Sequence, residues 1–409
     1  MNLMAHRLIP NTLSLTFIQA ANYIAPLILL VHLATVLGPD TYGILAFGQA
    51  IIVMSVMVTD FGFSLSATNK IARFRSRKKY VSMIIGGIFT FKLILFLFCS
   101  LVVLLFANLS ESYEEHKTFL LLTLLPIFFQ SFFPLWFFQG LEKMKLLALF
   151  SVIIKALFVL LVLFFVKVPE DYLLVPILNA LSQLLGIVLS IWMIYKLGYR
   201  IFIPSRRILI HCIDFSKGFF ISRIGVMVYM NSSVIILGLV ANPATVAIYS
   251  IAEQLYKAMQ SAISPLSAAA YPFMSKEKDV RLMLKLIIGC VSIVLIGAIF
   301  GYFISPIIMD LFFDDSWKDS LKILNLFFVA VVIHAGAVMT GYPLAAAVGK
   351  IKIANLSVIS GAFIFSSGVA LLAWIGQITP LSIASLMILS ELGVLIHRSS
   401  MLFPLIRLR

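Results

Sequence analysis

The sequence predicts an all-α polytopic membrane protein: about 12 transmembrane helices in two six-helix bundles related as parallel repeats, with both termini cytoplasmic. Three observations carry that prediction. Of 409 residues, 62% are hydrophobic and only 12% are charged, and the mean hydropathy of +1.08 lies far above that of a soluble chain. The apolar residues fall in runs long enough for helices that cross ~30 Å of hydrocarbon, not in the ~10-residue alternating segments of a membrane barrel. The second half of the chain also repeats the pattern of the first.

The runs, bounded by charges or by Gly/Pro turns, place spans at roughly 12–36, 43–66, 81–107, 118–138, 146–166, 172–196, 214–240, 245–270, 284–309, 321–345, 354–375 and 380–403. The first follows Arg7; its apolar region is too long for a signal peptide and lacks a small-residue cleavage site, so it reads as a retained helix. The turn "LGPD" separates spans one and two, and the basic stretch "NKIARFRSRKKY" follows span two. Acidic "ESYEEH" closes span three, and "QGLEKMK" closes span four. After span six the basic linker "YRIFIPSRRILIHC" joins the halves, giving an N-terminal bundle over 1–196, a cytoplasmic linker over 197–213 and a C-terminal bundle over 214–409. In the second half "SKEKD" follows span eight and "DLFFDDSWKD" follows span nine.

Orientation follows from lysine and arginine. The alternate loops that hold Arg73 to Lys79, Lys143, Lys145, Lys196 to Arg207, Lys276 to Lys285, Lys350 and Lys352 are strongly basic, as are the ends with Arg7, Arg398, Arg407 and Arg409. The opposite loops hold only Lys117, Lys167, Lys318 and Lys322, beside acidic clusters. That asymmetry puts both termini in the cytoplasm. It also absorbs most of the net charge of +14, so no nucleic-acid partner is implied; the basic loops read as contacts for anionic lipid headgroups.

Pro39, Thr41, Ile44 and Gln49 in "LGPDTYGILAFGQAI" fall 204 positions before Pro243, Thr245, Ile248 and Glu253 in "VANPATVAIYSIAEQL". The offset is half the chain, so spans one and two correspond to seven and eight. Parallel repeats of this kind are a transporter architecture with the substrate site between the halves.

Ionisable residues inside the spans cost about 2.5–3.5 kcal/mol each on insertion scales and usually face a bundle interior or wet cavity. The set is Asp60, Lys92, Lys155, Lys217, Arg223, Glu253, Lys257, His334 and Glu391. On span eight, Ser250, Glu253, Lys257, Gln260, Ser261 and Ser264 recur every three or four residues and form one polar stripe. Gln19, Asn22 and Tyr23 share a face of span one, and Gln19 corresponds to Arg223 at the same offset. Arg223, Lys92 and Lys155 lie too deep to snorkel easily, and excess positive charge needs an anion or water nearby. Lys217 is close to the mouth and has Asp214 as a partner within reach.

A structural reading stands beside the functional one: Glu253 and Lys257 can form an i,i+4 pair that fixes packing, and His334 can be a satisfied packing histidine.

Chemistry by enzyme motif is scarce. The sequence has no P-loop, nucleophile elbow or HExxH, and its loops are short. Cys99, Cys212 and Cys290 show no paired spacing, so neither a disulfide framework nor a metal site is expected. No cofactor is expected either.

The strings "LGPDTYGILAFGQAI", "TDFGFSLSATNKIA", "FFQGLEKMK", "FSKGFFISRIGVMVY" and "IYSIAEQLYKAMQSAISPLSAAAYPFMSK" resemble the Wzx-type O-antigen flippases, polysaccharide transporters of the superfamily that includes the multidrug and toxic compound extrusion proteins. The resemblance implies a two-lobed, twelve-helix fold that opens a central cavity alternately to each side of the bacterial inner membrane. It implies as cargo an undecaprenyl-pyrophosphate-linked oligosaccharide repeat, flipped to the periplasmic leaflet, with proton or sodium as counter-ion and other O-antigen assembly proteins as partners.

On that expectation Arg223, Lys92, Lys155, Lys257, Lys217, Gln19 and Asn22 contact substrate, and Glu253, Asp60 and Glu391 couple the ion. Two alternatives compete. A drug or cation antiporter of the same superfamily predicts a cavity of acids and aromatics without the deep basic groups. A membrane polysaccharide polymerase or ligase needs a sizeable periplasmic loop.

Overall fold

The computed structural model describes the backbone of residues 2–407 and the side chains of residues 25–220 and 229–406. Among these residues the regular structure is all helical, with no strand. The helices are α1 (Asn2–Asp60), α2 (Phe63–Phe74), α3 (Lys78–Leu109), α4 (Lys117–Leu122), α5 (Leu124–Phe132), α6 (Leu135–Gly140), α7 (Met144–Phe165), α8 (Leu174–Lys196), α9 (Arg206–Asn231), α10 (Ser233–Val240), α11 (Pro243–Glu277), α12 (Val280–Phe312), α13 (Lys318–Thr340), α14 (Tyr342–Val348), α15 (Ile351–Trp374) and α16 (Pro380–Arg407). Nine candidate membrane spans are found among the described residues by length and composition. The first of them, Ala25–Phe74, is 50 residues long and takes in the turn expected between two spans.

The apolar runs are thus helices, but four are not single rods. Span two stops at Asp60, and after a left-handed turn at Phe61 (φ 46) and Gly62 (φ 78) the chain restarts as α2. Span four is divided into α4, α5 and α6, and span ten into α13 and α14. Span seven is interrupted at Ser232, and its helix α9 begins at Arg206, inside the stretch expected to be linker.

The chain forms two compact units. Unit 1 comprises residues 1–37 and 48–223; unit 2 comprises residues 38–47 and 224–409. In unit 1, α2, α3 and α6 to α8 meet around Phe63, Ile85, Trp136, Phe137, Phe138 and Ile194, all buried. In unit 2, α12 and α15 are mostly exposed, with Phe303, Ile307, Ile359 and Phe363 facing outward as lipid-facing helices require. By contrast α13 and α14 are largely buried, and Pro343 to Val348 are all buried.

The segment 38–47 belongs to unit 2 although the chain on either side belongs to unit 1. Gly38 (φ 70) makes the elbow, a conformation that costs glycine little. Five residues on, a side chain at Gly43 would collide with the Pro243 carbonyl, so only glycine lets the two backbones approach. Gln254 Nε2 donates to Tyr42 Oη at 3.0 Å, and Tyr42 meets Trp317 edge-on with ring centroids 5.6 Å apart. The two strings that align as internal repeats therefore touch each other within unit 2.

Candidate functional site in two polar clusters

In unit 1 the polar cluster forms where helix geometry fails. Pro134 ends α5 because it has no N–H to donate, and Leu135 N–H turns to Phe133 O at 3.0 Å. The Ser131 carbonyl, which Leu135 would satisfy in an unbroken helix, is left without that donor. Lys92 of α3 supplies the replacement, donating from Nζ at 2.8 Å. The lysine is 3% exposed, and its Nζ also lies 3.9 Å from Asp60 Oδ1. Asp60 in turn accepts from Ser64 N at 3.3 Å and Ser64 Oγ at 2.5 Å, in the first turn of α2. Thr59 and Ser131 hydroxyls are 2.7 Å apart.

In unit 2 the same failure has the same kind of remedy. At Gly341 the N–H reaches back to Val338 O at 3.1 Å instead of to Ala337 O. Arg398 of α16 donates from Nη1 to the Ala337 carbonyl, from Nε to Ser357 Oγ at 2.7 Å and from Nη2 to Ala354 O at 3.4 Å. One guanidinium therefore ties α13, α15 and α16, a use that suits its rigid fork of donors.

Two further groupings lie in unit 2. Lys257 Nζ donates to Glu253 Oε2 at 2.7 Å, with side-chain exposures of 41% and 3% respectively. Glu253 Oε1 is buried with no hydrogen-bond partner among the described residues. Three residues past Lys257, Gln260 Nε2 lies 3.1 Å from His334 Nδ1, and the same ring nitrogen lies 3.0 Å from Glu391 Oε1. Tyr256 stacks on Phe327 at 4.7 Å and meets the His334 ring edge-on at 6.4 Å.

The sequence-predicted residues thus divide. Asp60 joins Lys92, Glu253 joins Lys257 as the i,i+4 spacing allowed, and Glu391 joins His334, which acquires polar partners as well as packing. Lys155 is partly buried on α7. Lys217 pairs with Asp214 at 2.8 Å on an exposed face. The side chains of Gln19, Asn22 and Arg223 lie outside the described residues. Sequence reasoning missed two participants: the Ser131 carbonyl, and Arg398, which it counted among the cytoplasmic loop charges although the residue is buried. Pro134 and the Gly341–Pro343 pair were the available signals, because a broken helix inside a membrane must find donors for its freed carbonyls.

A family model described as "Polysaccharide biosynthesis protein" matches residues 8–278. The chain belongs to that family. The match takes in the Asp60–Lys92 cluster and the Glu253–Lys257 pair. Two relatives are the provisionally named O-antigen transporters of Escherichia coli (strain K12), 27% identical over 71% of this chain and 71% of that one, and of Shigella dysenteriae, 26% identical over 87% and 90%. Among solved structures, an inward-facing multidrug resistance transporter of the MATE family superposes with a TM-score of 0.73 at 18% identity, covering 93% of this chain and 94% of its own. The lipid II flippase MurJ in an inward closed conformation gives 0.73 at 13% identity, covering 96% and 87%. These likenesses establish the transporter fold of a multi-pass membrane protein.

Proposed function

We propose that this family member is a flippase of the bacterial inner membrane. It carries undecaprenyl-pyrophosphate-linked oligosaccharide repeats to the periplasmic leaflet by alternating access. The observation that supports this most is the near full-length relationship to the Shigella dysenteriae O-antigen transporter. Both termini lie in the cytoplasm on this reading, and the moving bodies are the halves over 1–196 and 214–409, joined by the 197–213 stretch.

The charges give the reading its chemistry. Lys257 keeps 41% of its side chain exposed beside a buried glutamate, so it can meet an anion without leaving its partner. With Arg223, Lys155 and Lys217 it attracts the pyrophosphate, while Gln19 and Asn22 meet sugar hydroxyls; Lys92, 3% exposed and bonded to the Ser131 carbonyl, acts on the anion only through its charge. Glu253, Asp60 and Glu391 are the ion-coupling carboxylates. Glu253 Oε1, buried without a donor among the described residues, is the atom best placed to take a proton or cation. An inward proton contributes about 2.3 kcal/mol per 100 mV. This assignment needs no enzymatic step.

The test is complementation. A strain deleted for this chain should lose surface polysaccharide and regain it with the wild-type chain. Arg223→Ala should not restore it, Arg223→Lys should restore it in part, and Glu253→Gln should export without ion dependence, all at equal membrane levels. Normal surface polysaccharide in the deletion strain, with new drug sensitivity, would favour the antiporter reading instead.

A further inference from the structure

One ring nitrogen has two claimants. His334 Nδ1 lies 3.1 Å from the Gln260 amide nitrogen and 3.0 Å from Glu391 Oε1. An imidazole nitrogen carries either a lone pair or a hydrogen. The amide N–H needs the lone pair, whereas a carboxylate needs the hydrogen, so the two bonds belong to two forms of the ring: the neutral Nε2–H tautomer with Nδ1 bare, and a form with hydrogen on Nδ1, which the Nε2–H tautomer reaches by gaining a proton.

We propose that His334 is the proton-carrying residue of unit 2, and that gain of a proton moves its Nδ1 hydrogen bond from Gln260 on α11 to Glu391 on α16. This rests on the ion-coupled reading above and adds a proton carrier beside Glu391, one of the carboxylates that reading names. In the uptake step a proton from water forms the Nδ1–H bond, Nδ1–H···Oε1 replaces Nε2–H···Nδ1, and release returns the proton to water. Nothing else is made or broken.

Charge favours the exchange. Glu391 is 1% exposed, and a buried carboxylate is costly unless paired. With the proton present, His334 and Glu391 form a neutral pair, and the shared proton can also sit on the carboxyl. With it absent, the carboxylate keeps only the longer-range charge of Arg398, seven residues along α16 and therefore on nearly the same face.

The elements packed around α13 bring further titratable groups: Glu253, Tyr256 and Lys257 from α11, Cys290 from α12, Tyr342 from α14 and Arg398 from α16, and Tyr229 of α9 interacts electrostatically with Glu391. Tyr256 has a ready role. Its hydroxyl is buried with no hydrogen-bond partner among the described residues and lies in reach of Gln260, so it can receive the amide that His334 lets go. Glu253, Lys257 and Gln260 share the polar stripe of α11. Tying or freeing Gln260 therefore acts on the helix that presents Lys257.

The experiment uses the full-length protein in nanodiscs of bacterial lipid with 15N-labelled histidine, titrated from pH 5 to pH 9. His334 is identified among the six histidines by the resonance lost in His334→Gln, or by the one displaced in Glu391→Gln if the first variant does not insert. The expected result is a Nδ1 signal that passes from bare to protonated as pH falls, with a midpoint at least tenfold lower in proton affinity in Glu391→Gln. A signal fixed across the range, or an unchanged midpoint in that variant, overturns the proposal.

A second arm separates it from the reading beneath it, by collapsing the proton gradient at clamped ATP while surface polysaccharide is followed. Export that falls at least severalfold, together with a titrating His334, supports both. Export that falls while His334 does not titrate sinks His334 alone, and export indifferent to the gradient sinks ion coupling and His334 with it.

Discussion

The two units solve one backbone problem with different residues. Each has an interrupted fourth helix, and the interruptions correspond: Pro134 and Gly341 each precede a short second piece, and lie 207 positions apart. Glu142 (φ 58) and Gly349 (φ 78), at the same separation, turn the chain left-handed after that piece. In both units a buried cation from another helix donates to the freed carbonyl. The cations are not repeat mates, however, since Lys92 comes from α3 and Arg398 from the last helix, α16. Repetition has kept the backbone geometry while the polar chemistry was settled separately in each half. Unit 2 also carries the ionisable Gln260–His334–Glu391 cluster, where the corresponding helices of unit 1, α5 and α8, are joined instead by a neutral pair, Gln130 Nε2 donating to Asn179 Oδ1 at 3.2 Å.

The two remedies should differ in how much stability each holds. Arg398→Met leaves the Ala337 and Ala354 carbonyls and the Ser357 hydroxyl without the guanidinium, a loss of about 3–5 kcal/mol at roughly 1–3 kcal/mol for each buried polar group left unsatisfied. Thermal unfolding of the purified protein should show the largest drop of the series, and Arg398→Lys should recover only part of it. Gly43→Leu pushes a side chain into the Pro243 backbone, which cannot yield as a flexible side chain can; a cost near 3 kcal/mol is expected in the same assay.

Lys92→Met should cost less, about 1–3 kcal/mol, because Asp60 keeps its bonds to Ser64. Adding Asp60→Asn to Lys92→Met should cost less than the sum of the single losses, as residues in one network are coupled. At the small end stands Lys318. The hydrogen bond and charge of Asp315 raise its pKa above the ordinary 10.5. A raised lysine pKa means its contribution is intact below 10.5 and is lost only as pH climbs through the folded value. Lys318→Ala should therefore leave the pH dependence of melting between pH 5 and 9 unchanged.

Much of the fold was legible because bilayer thickness sets the length of an apolar run, and a run of that length is a helix. Breaks inside a run were harder to read: hydrophobicity continues straight through Phe133–Pro134 and Gly341–Pro343, so span counting passes over them. The charged residues were found for the same reason the spans were, since they stand out against an apolar background. Their partners were legible only where spacing along one helix fixed them, as for Glu253 and Lys257. Asp60 with Lys92, and His334 with Glu391, are separated by 32 and 57 positions, and only packing brings them together. Arg398 misled because a charge close to the chain's end reads as part of a cytoplasmic tail, when its partners are a broken helix and the serine of a neighbour.

Whether this chain moves a lipid-linked repeat across the membrane is read from the leaflet in which that lipid resides. In cells lacking the downstream polymerase and ligase, the oligosaccharide of the lipid-linked repeat can be probed from the periplasm with an impermeant sugar-modifying reagent. With the chain present the account predicts extensive modification; without it, the repeats should accumulate protected on the cytoplasmic side. Equal modification in both strains would contradict the account.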